Sequence, residues 1–162
     1  MHPSLHEASS HRTVALFGVE FAFRLETANT DGRAAALEVT IPPRTLVKPH
    51  QHSKEDEFSL VLSGPIGVRV GDQTVEEVPT GSWLAKPRSV PHAIWNVTDA
   101  PARILEVVTP AGLEEYFEKI APVLREHGPE WTERFYELAT EYGLTVLDDW
   151  SDELKATYGI TL

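Results

Sequence analysis

The stretch His50-Gln51-His52-Ser53-Lys54-Glu55-Asp56-Glu57 decides the reading of this chain. Side chains alternate across a β-strand, so histidines at i and i+2 project from one face and can share a single ion. Glu57 stands five residues beyond His52, the wrong parity for an unbroken strand. Ser53–Asp56 must therefore turn or bulge if Glu57 is to rejoin that face, and four polar residues without β-branching suit a turn.

A second stretch completes the set. His92 follows Pro87-Arg88-Ser89-Val90-Pro91, a turn-like approach, and then shares a strand face with Ile94 and Asn96. Three imidazoles and one carboxylate make a mixed nitrogen and oxygen site for one divalent transition metal: Fe, Ni, Mn, Co or Zn. Four protein ligands on an octahedral ion leave two positions open. Neutral histidines with Glu57 leave about +1 on a divalent ion, which attracts an enolate or carboxylate. The chain has no cysteine, so thiolate nucleophiles, disulfides, iron–sulfur clusters and zinc fingers are excluded.

Around these residues the chain reads as short strands between turns. Val14–Phe17, Val19–Leu25 and Ala35–Ile41 come before the histidines, with a turn at Asn29–Gly32. Phe58–Leu62, Ile66–Val70, Thr74–Val78, Trp83–Ala85, Ala93–Val97 and Ala102–Val108 come after them. This spacing predicts an all-β barrel or sandwich. By parity, Ser59, Val61 and Ile94 are candidates for a cavity wall. Trp83 and Trp95 read as core or interface aromatics. Arg88 could steer an anionic ligand, and Glu38 faces either a polar interior or a subunit contact.

From Thr109-Pro110 the period changes to helical, with Thr109 as the expected N-cap. Leu113, Phe117, Ile120 and Leu124 form one apolar stripe, and Gly128-Pro129 breaks it. Trp131, Phe135, Leu138 and Tyr142 form a second stripe, and a third helix is expected over 151–158. The organisation expected is a flexible arm over 1–12, a barrel over 13–110 and a helical extension over 111–162. The arm's His2, His6 and His11 match no common ligand spacing.

The net charge of −11 is uneven. Residues 1–110 hold 13 acidic and 10 basic groups, and residues 111–162 hold 12 and 4. Such acidity argues against nucleic acid and anionic membranes as partners. Without an apolar leader or a long apolar run, a cytoplasmic protein acting on a small molecule is expected.

The pattern H-x-H-x4-E-x6-G over His50, His52, Glu57 and Gly64, and G-x5-P-x4-H-x3-N over Gly81, Pro87, His92 and Asn96, resembles the paired motifs of the cupin superfamily. The resemblance covers about residues 33–108 and is strongest to small single-domain, quercetin dioxygenase-like cupins, whose helix start is similar to Thr109–Gly112. It implies a double-stranded β-helix (a cupin, or jelly-roll, barrel) with His50, His52, Glu57 and His92 as ligands and Asn96 as a structural residue. It also implies a homodimer. Two motif glycines are replaced, by Arg44 and Ser89. The function expected is a metal-dependent dioxygenase acting on an enolic or flavonol-like substrate, with Glu57 as both ligand and catalytic base. The alternatives are a non-oxidative isomerase or cyclase on the same ligands, and a non-catalytic binding module.

Overall fold

The structure is a computed structural model that describes residues 12–126 and 130–162. Eleven strands and four helices follow in order: β1 (Thr13–Leu16), β2 (Val19–Leu25), α1 (Thr27–Thr30), β3 (Ala35–Ile41), β4 (Leu46–His52), β5 (Asp56–Ser63), β6 (Ile66–Val70), β7 (Gln73–Val78), β8 (Trp83–Lys86), β9 (His92–Trp95), β10 (Ala102–Thr109), α2 (Leu113–Glu126), α3 (Trp131–Glu141), β11 (Leu144–Val146) and α4 (Asp148–Tyr158). They form two antiparallel sheets, β1-β2-β3-β10-β5-β8 and β11-β4-β9-β6-β7. Face to face, these make the expected double-stranded β-helix, followed by the helical extension.

Alternation builds the core. In β3 and β10 every second residue is buried, including Leu37, Val39, Ile104 and Val108. These apolar inner faces, with Phe23 beside them on β2, meet Ile66 and Val68 of the facing sheet, a burial of roughly 1.5–3 kcal/mol per large side chain. A second cluster lies outside the five-stranded sheet, where Leu46, Ala93 and Trp95 pack against Leu154 of α4 and Ile160. The Trp95 indole stacks on Tyr158 at 4.9 Å. Gly67 is required there, because a Cβ on it would stand 2.1 Å from that indole.

Several local expectations change. Asn29–Gly32 is not a bare turn: Thr27–Thr30 make one helical turn, closed by Asp31 and Gly32 at positive φ. Thr109 is the last residue of β10 rather than an N-cap, and its hydroxyl donates to the Arg33 carbonyl. The helix starts at Leu113, where the Glu114 carboxylate accepts from the Gly112 and Thr27 amides. The third helix starts earlier than expected, at Asp148, and ends on Gly159 in the left-handed region. β11, absent from the sequence reading, joins the extension to the barrel by pairing with β4. The arm over 1–11 with its histidines, and the Gly128-Pro129 break, lie outside the described residues. Arg12 is described; it pairs with Glu26 and Glu118 and stacks over Phe23. Among the described residues no helix is long and apolar enough to cross a membrane.

Candidate metal centre

β4 carries His50 and His52, and its neighbour β9 carries His92 directly opposite His50. Glu57 comes from β5 in the other sheet, so the site bridges the two sheets inside the barrel. The polar turn before β5 restores the parity of Glu57, as the spacing demanded. One donor atom from each of the four residues lies within 4.8 Å of all the others. The imidazole ring centroids are 4.6–5.6 Å apart.

The ring orientations follow from what the distal nitrogens meet. His50 Nδ1 is 2.6 Å from the Lys48 carbonyl, and His92 Nδ1 is 3.2 Å from the Val90 carbonyl. His52 Nδ1 faces the buried Glu55 carboxylate at 3.5 Å. A carbonyl or carboxylate at Nδ1 places the proton there and frees Nε2. His52 Nε2 and His92 Nε2 point at Glu57, at 3.3 and 3.0 Å.

The donor set fits a transition metal. His52 Nε2 and His92 Nε2 are buried without a well-directed hydrogen bond. Such orphaned atoms are rare unless a missing group completes them. Bond lengths of ~2.0–2.2 Å to imidazole and carboxylate suit a cluster of this size.

Behind Glu57 stands a buried ionic chain. Lys86 Nζ lies 2.9 Å from Glu57 Oε2 and 2.8 Å from Glu106 Oε2, and the Ser59 hydroxyl donates to Glu106 at 2.9 Å. All four residues are buried. Burial opposes the Glu57 charge, but Lys86 and His52 outweigh it and hold its carboxyl well below the usual range. Burial pushes Glu106 up to about 7 against the pull of Lys86. Burial also opposes protonation of His52, yet Glu57 and Glu55 together push it up to about 9 in the metal-free protein. Burial and the neighbouring imidazoles hold His50 well below its usual value, and His92 is also lowered. The +1 inferred from the four ligands alone therefore omits Glu55, Glu106 and Lys86.

The centre opens into an apolar cavity of about 110 Å³. Val39, Ile94 and Ile104 line it from the barrel, and Tyr116, Phe117 and Phe135 from the helices. Ile94 is among the residues that line it. Ser59 and Val61 are not: Ser59 backs Glu106, and Val61 packs in the core. Glu38 faces outward between Arg24 and Arg103. Arg88 is tied to Asp56 rather than free to steer a ligand. Asn96 is structural, its amide donating to the Ile41, Pro42 and Ala100 carbonyls.

Sequence reasoning missed Glu55, Lys86 and Glu106. A signal existed for two of them: Lys86 shares parity with Leu84, and Glu106 with Ile104 and Val108. A charge at an interior strand position requires a buried partner.

Comparison with known proteins agrees with this architecture. Residues 37–108 match the family described as Cupin domain. An H2HPP isomerase of Bacillus subtilis is 37% identical over 76 residues, which cover 47% of this chain and 32% of that protein. The chain spans only about a third of the length of the curated relatives it matches. Among solved structures, KdgF from Halomonas sp. has a TM-score of 0.60 at 16% identity, covering 69% of this chain and 99% of that one. A sugar phosphate isomerase of the cupin superfamily from Silicibacter pomeroyi has a TM-score of 0.55 at 25% identity, covering 66% and 75%. The match over β3–β10, the two-sheet topology and the three-histidine, one-glutamate cluster agree: residues 37–108 are similar to a cupin domain, and the fold is a double-stranded β-helix.

Proposed function

We propose that the chain is a metal-dependent enzyme that moves a proton within a small enolisable carbonyl compound, the non-oxidative alternative of the sequence reading. The observation that carries this is the placement of four convergent donors and a buried Glu57–Lys86–Glu106 chain beside one apolar cavity. Two relatives named as isomerases support it. A divalent metal held by His50, His52, Glu57 and His92 would supply Lewis-acid polarisation of a substrate oxygen.

The chain's own residues do the rest. Glu57 is a ligand and, with Glu106, one of the two carboxylates that line the cavity. Lys86 fixes its Oε2, and Glu106 behind Lys86 can hold a proton near neutral pH. Val39, Ile104, Phe117 and Phe135 exclude water and favour an apolar substrate body.

The test is solvent exchange. Metal-loaded protein in D2O, kept anaerobic, is incubated with a panel of 2-oxo acids and sugar phosphates, and deuterium uptake is followed by NMR. Metal-dependent exchange at the carbon beside the carbonyl is expected, and Glu106→Gln should slow it. Oxygen uptake with flavonols or diketones, without anaerobic exchange, would replace this reading with the dioxygenase. Neither activity, with metal tightly bound, would leave a binding module.

A further inference from the structure

The metal centre and the aromatic wall of its cavity come from different parts of the chain. The four donors belong to His50, His52, Glu57 and His92, inside the segment matched over 37–108. The phenylalanine and tyrosine side chains that line the cavity all lie outside that segment: Phe17 and Phe21 before it, Tyr116, Phe117 and Phe135 after it. Two ring pairs close these flanks on each other. Phe21 meets Phe117 at 4.7 Å, and Phe17 meets Phe135 edge-on at 5.7 Å. Phe17 is also held in a backbone conformation that bulky residues avoid. Leu16 pairs with Val19, so Phe17-Gly18 is a two-residue hairpin loop, with φ of 49° and 81°. Such a loop favours Asn-Gly, and an outlier of this kind on a cavity wall points to a use for its side chain.

We propose that the substrate carries an apolar group no larger than one six-membered ring, seated among Phe17, Phe21, Phe117 and Phe135 with its carbonyl end toward the metal centre, and that Phe17 sets this preference. Size gives the upper limit. An apolar cavity of roughly 150 Å³ accepts benzene, and this one has about 110 Å³. The three rings of a flavonol exceed it. Charge gives the second limit. Besides the imidazoles, the cations that line the cavity are Lys48 and Lys86, and both are taken, Lys48 by Asp148 at 2.7 Å and Lys86 by Glu57 and Glu106. A phosphate would meet two carboxylates and no unpaired cation beyond a bound metal. Sugar hydroxyls would fare no better, because among the described residues no Ser, Thr, Asn, Gln or Arg side chain lines the cavity. Aromatic walls instead gain from a ring set edge-on or offset against them. The carbonyl end of this substrate rests on the proposed reaction, and its apolar body rests on the cavity alone.

The test is calorimetric binding of phenylpyruvate, pyruvate and dihydroxyacetone phosphate to the zinc-loaded, full-length chain, with deuterium exchange followed in parallel. Phenylpyruvate should bind about 10–100-fold more tightly than pyruvate, and dihydroxyacetone phosphate no more tightly than pyruvate. Phe17→Asn supplies the favoured turn and deletes the ring. Its zinc content and far-UV dichroism should match the wild type, while the preference for phenylpyruvate over pyruvate falls about 3–10-fold. Phe135→Leu should lower the preference in the same direction, and Trp83→Ala, at an exposed position on β8, should not move it. Ring-selective binding without exchange would sustain this inference and remove the proposed reaction, whereas exchange without ring preference would do the reverse. No preference for phenylpyruvate, tighter binding of dihydroxyacetone phosphate, or a preference unmoved by both phenylalanine variants would overturn the proposal.

Discussion

Replacing Lys86 with methionine removes one charge while keeping the length and apolar stem of the side chain. Its Nζ is within 3 Å of both Glu57 and Glu106, and all three residues are buried. Breaking a buried ion pair from one side costs about 3–5 kcal/mol, because the abandoned charge stays desolvated. Here two carboxylates are abandoned, but one has an escape. Glu106 already stands at about 7, and loss of Lys86 raises it further, so it takes up a proton. The loss should therefore fall near 3 kcal/mol, a large share of the roughly 5–15 kcal/mol that holds a domain folded. At about 2–4 °C per kcal/mol for a chain of this size, Tm should drop by about 6–12 °C. Urea unfolding of the metal-free protein measures it. Glu106→Gln alone breaks the pair with Lys86, whereas in the Lys86→Met background Glu106 is already neutral and its replacement should change stability little further. A loss below about 1 kcal/mol, or strictly additive single and double variants, would refute the ionic chain as the support of Glu57.

Three further outcomes are expected. Glu55→Ala should weaken metal binding about 10–100-fold, with Glu55→Gln between it and the wild type, because the carboxylate at His52 Nδ1 orients that ligand; titration against a chromophoric chelator reads this. In the metal-free protein His52 has its folded pKa raised from 6.5 to about 9, so its contribution is full below pH 6.5 and fades as pH rises through 9. Urea melts across that window should show a loss of up to about 3 kcal/mol that saturating metal abolishes, since the bound imidazole is neutral throughout. Ser89→Gly should stabilise the fold by up to about 1 kcal/mol, because Ser89 holds φ 61° where glycine is free of Cβ strain. Arg44→Gly at φ 56° should gain less, since it forfeits the Asp99 pair; a shifted urea midpoint at constant m checks both.

The clustering of His50, His52 and Glu57 was legible because a shared ion would impose a short-range rule: two histidines on one strand face, a turn, and a carboxylate of matching parity. Ser89 and Arg44 were legible for a similar local reason. Both replace motif glycines, and both adopt the left-handed backbone that glycine would supply. Trp83 and Trp95 could not be separated by pattern, since one faces solvent and the other lies under α4. Lys86, Glu106 and Ser59 come from three strands, 20 to 47 residues apart, and only sheet register brings them together. β11 has three residues, too few for any periodicity, and Thr27–Thr30 is a single helical turn. These elements are fixed by tertiary pairing, which a window along the chain does not sample.

The pairing of β11 with β4 has a consequence for assembly. Leu144 lies opposite His52, and Val146 opposite His50, so the strand bearing two ligands is bounded on one side by β9 and on the other by a segment near the far end of the chain. During synthesis, from the N-terminus onward, β4 keeps a bare edge until Val146 has emerged. Its histidines are not locked in place before then. A metal held by this cluster would consequently be captured only once residues 144–146 have emerged, and a nascent chain stalled before β11 would offer a sticky, histidine-bearing edge to its neighbours.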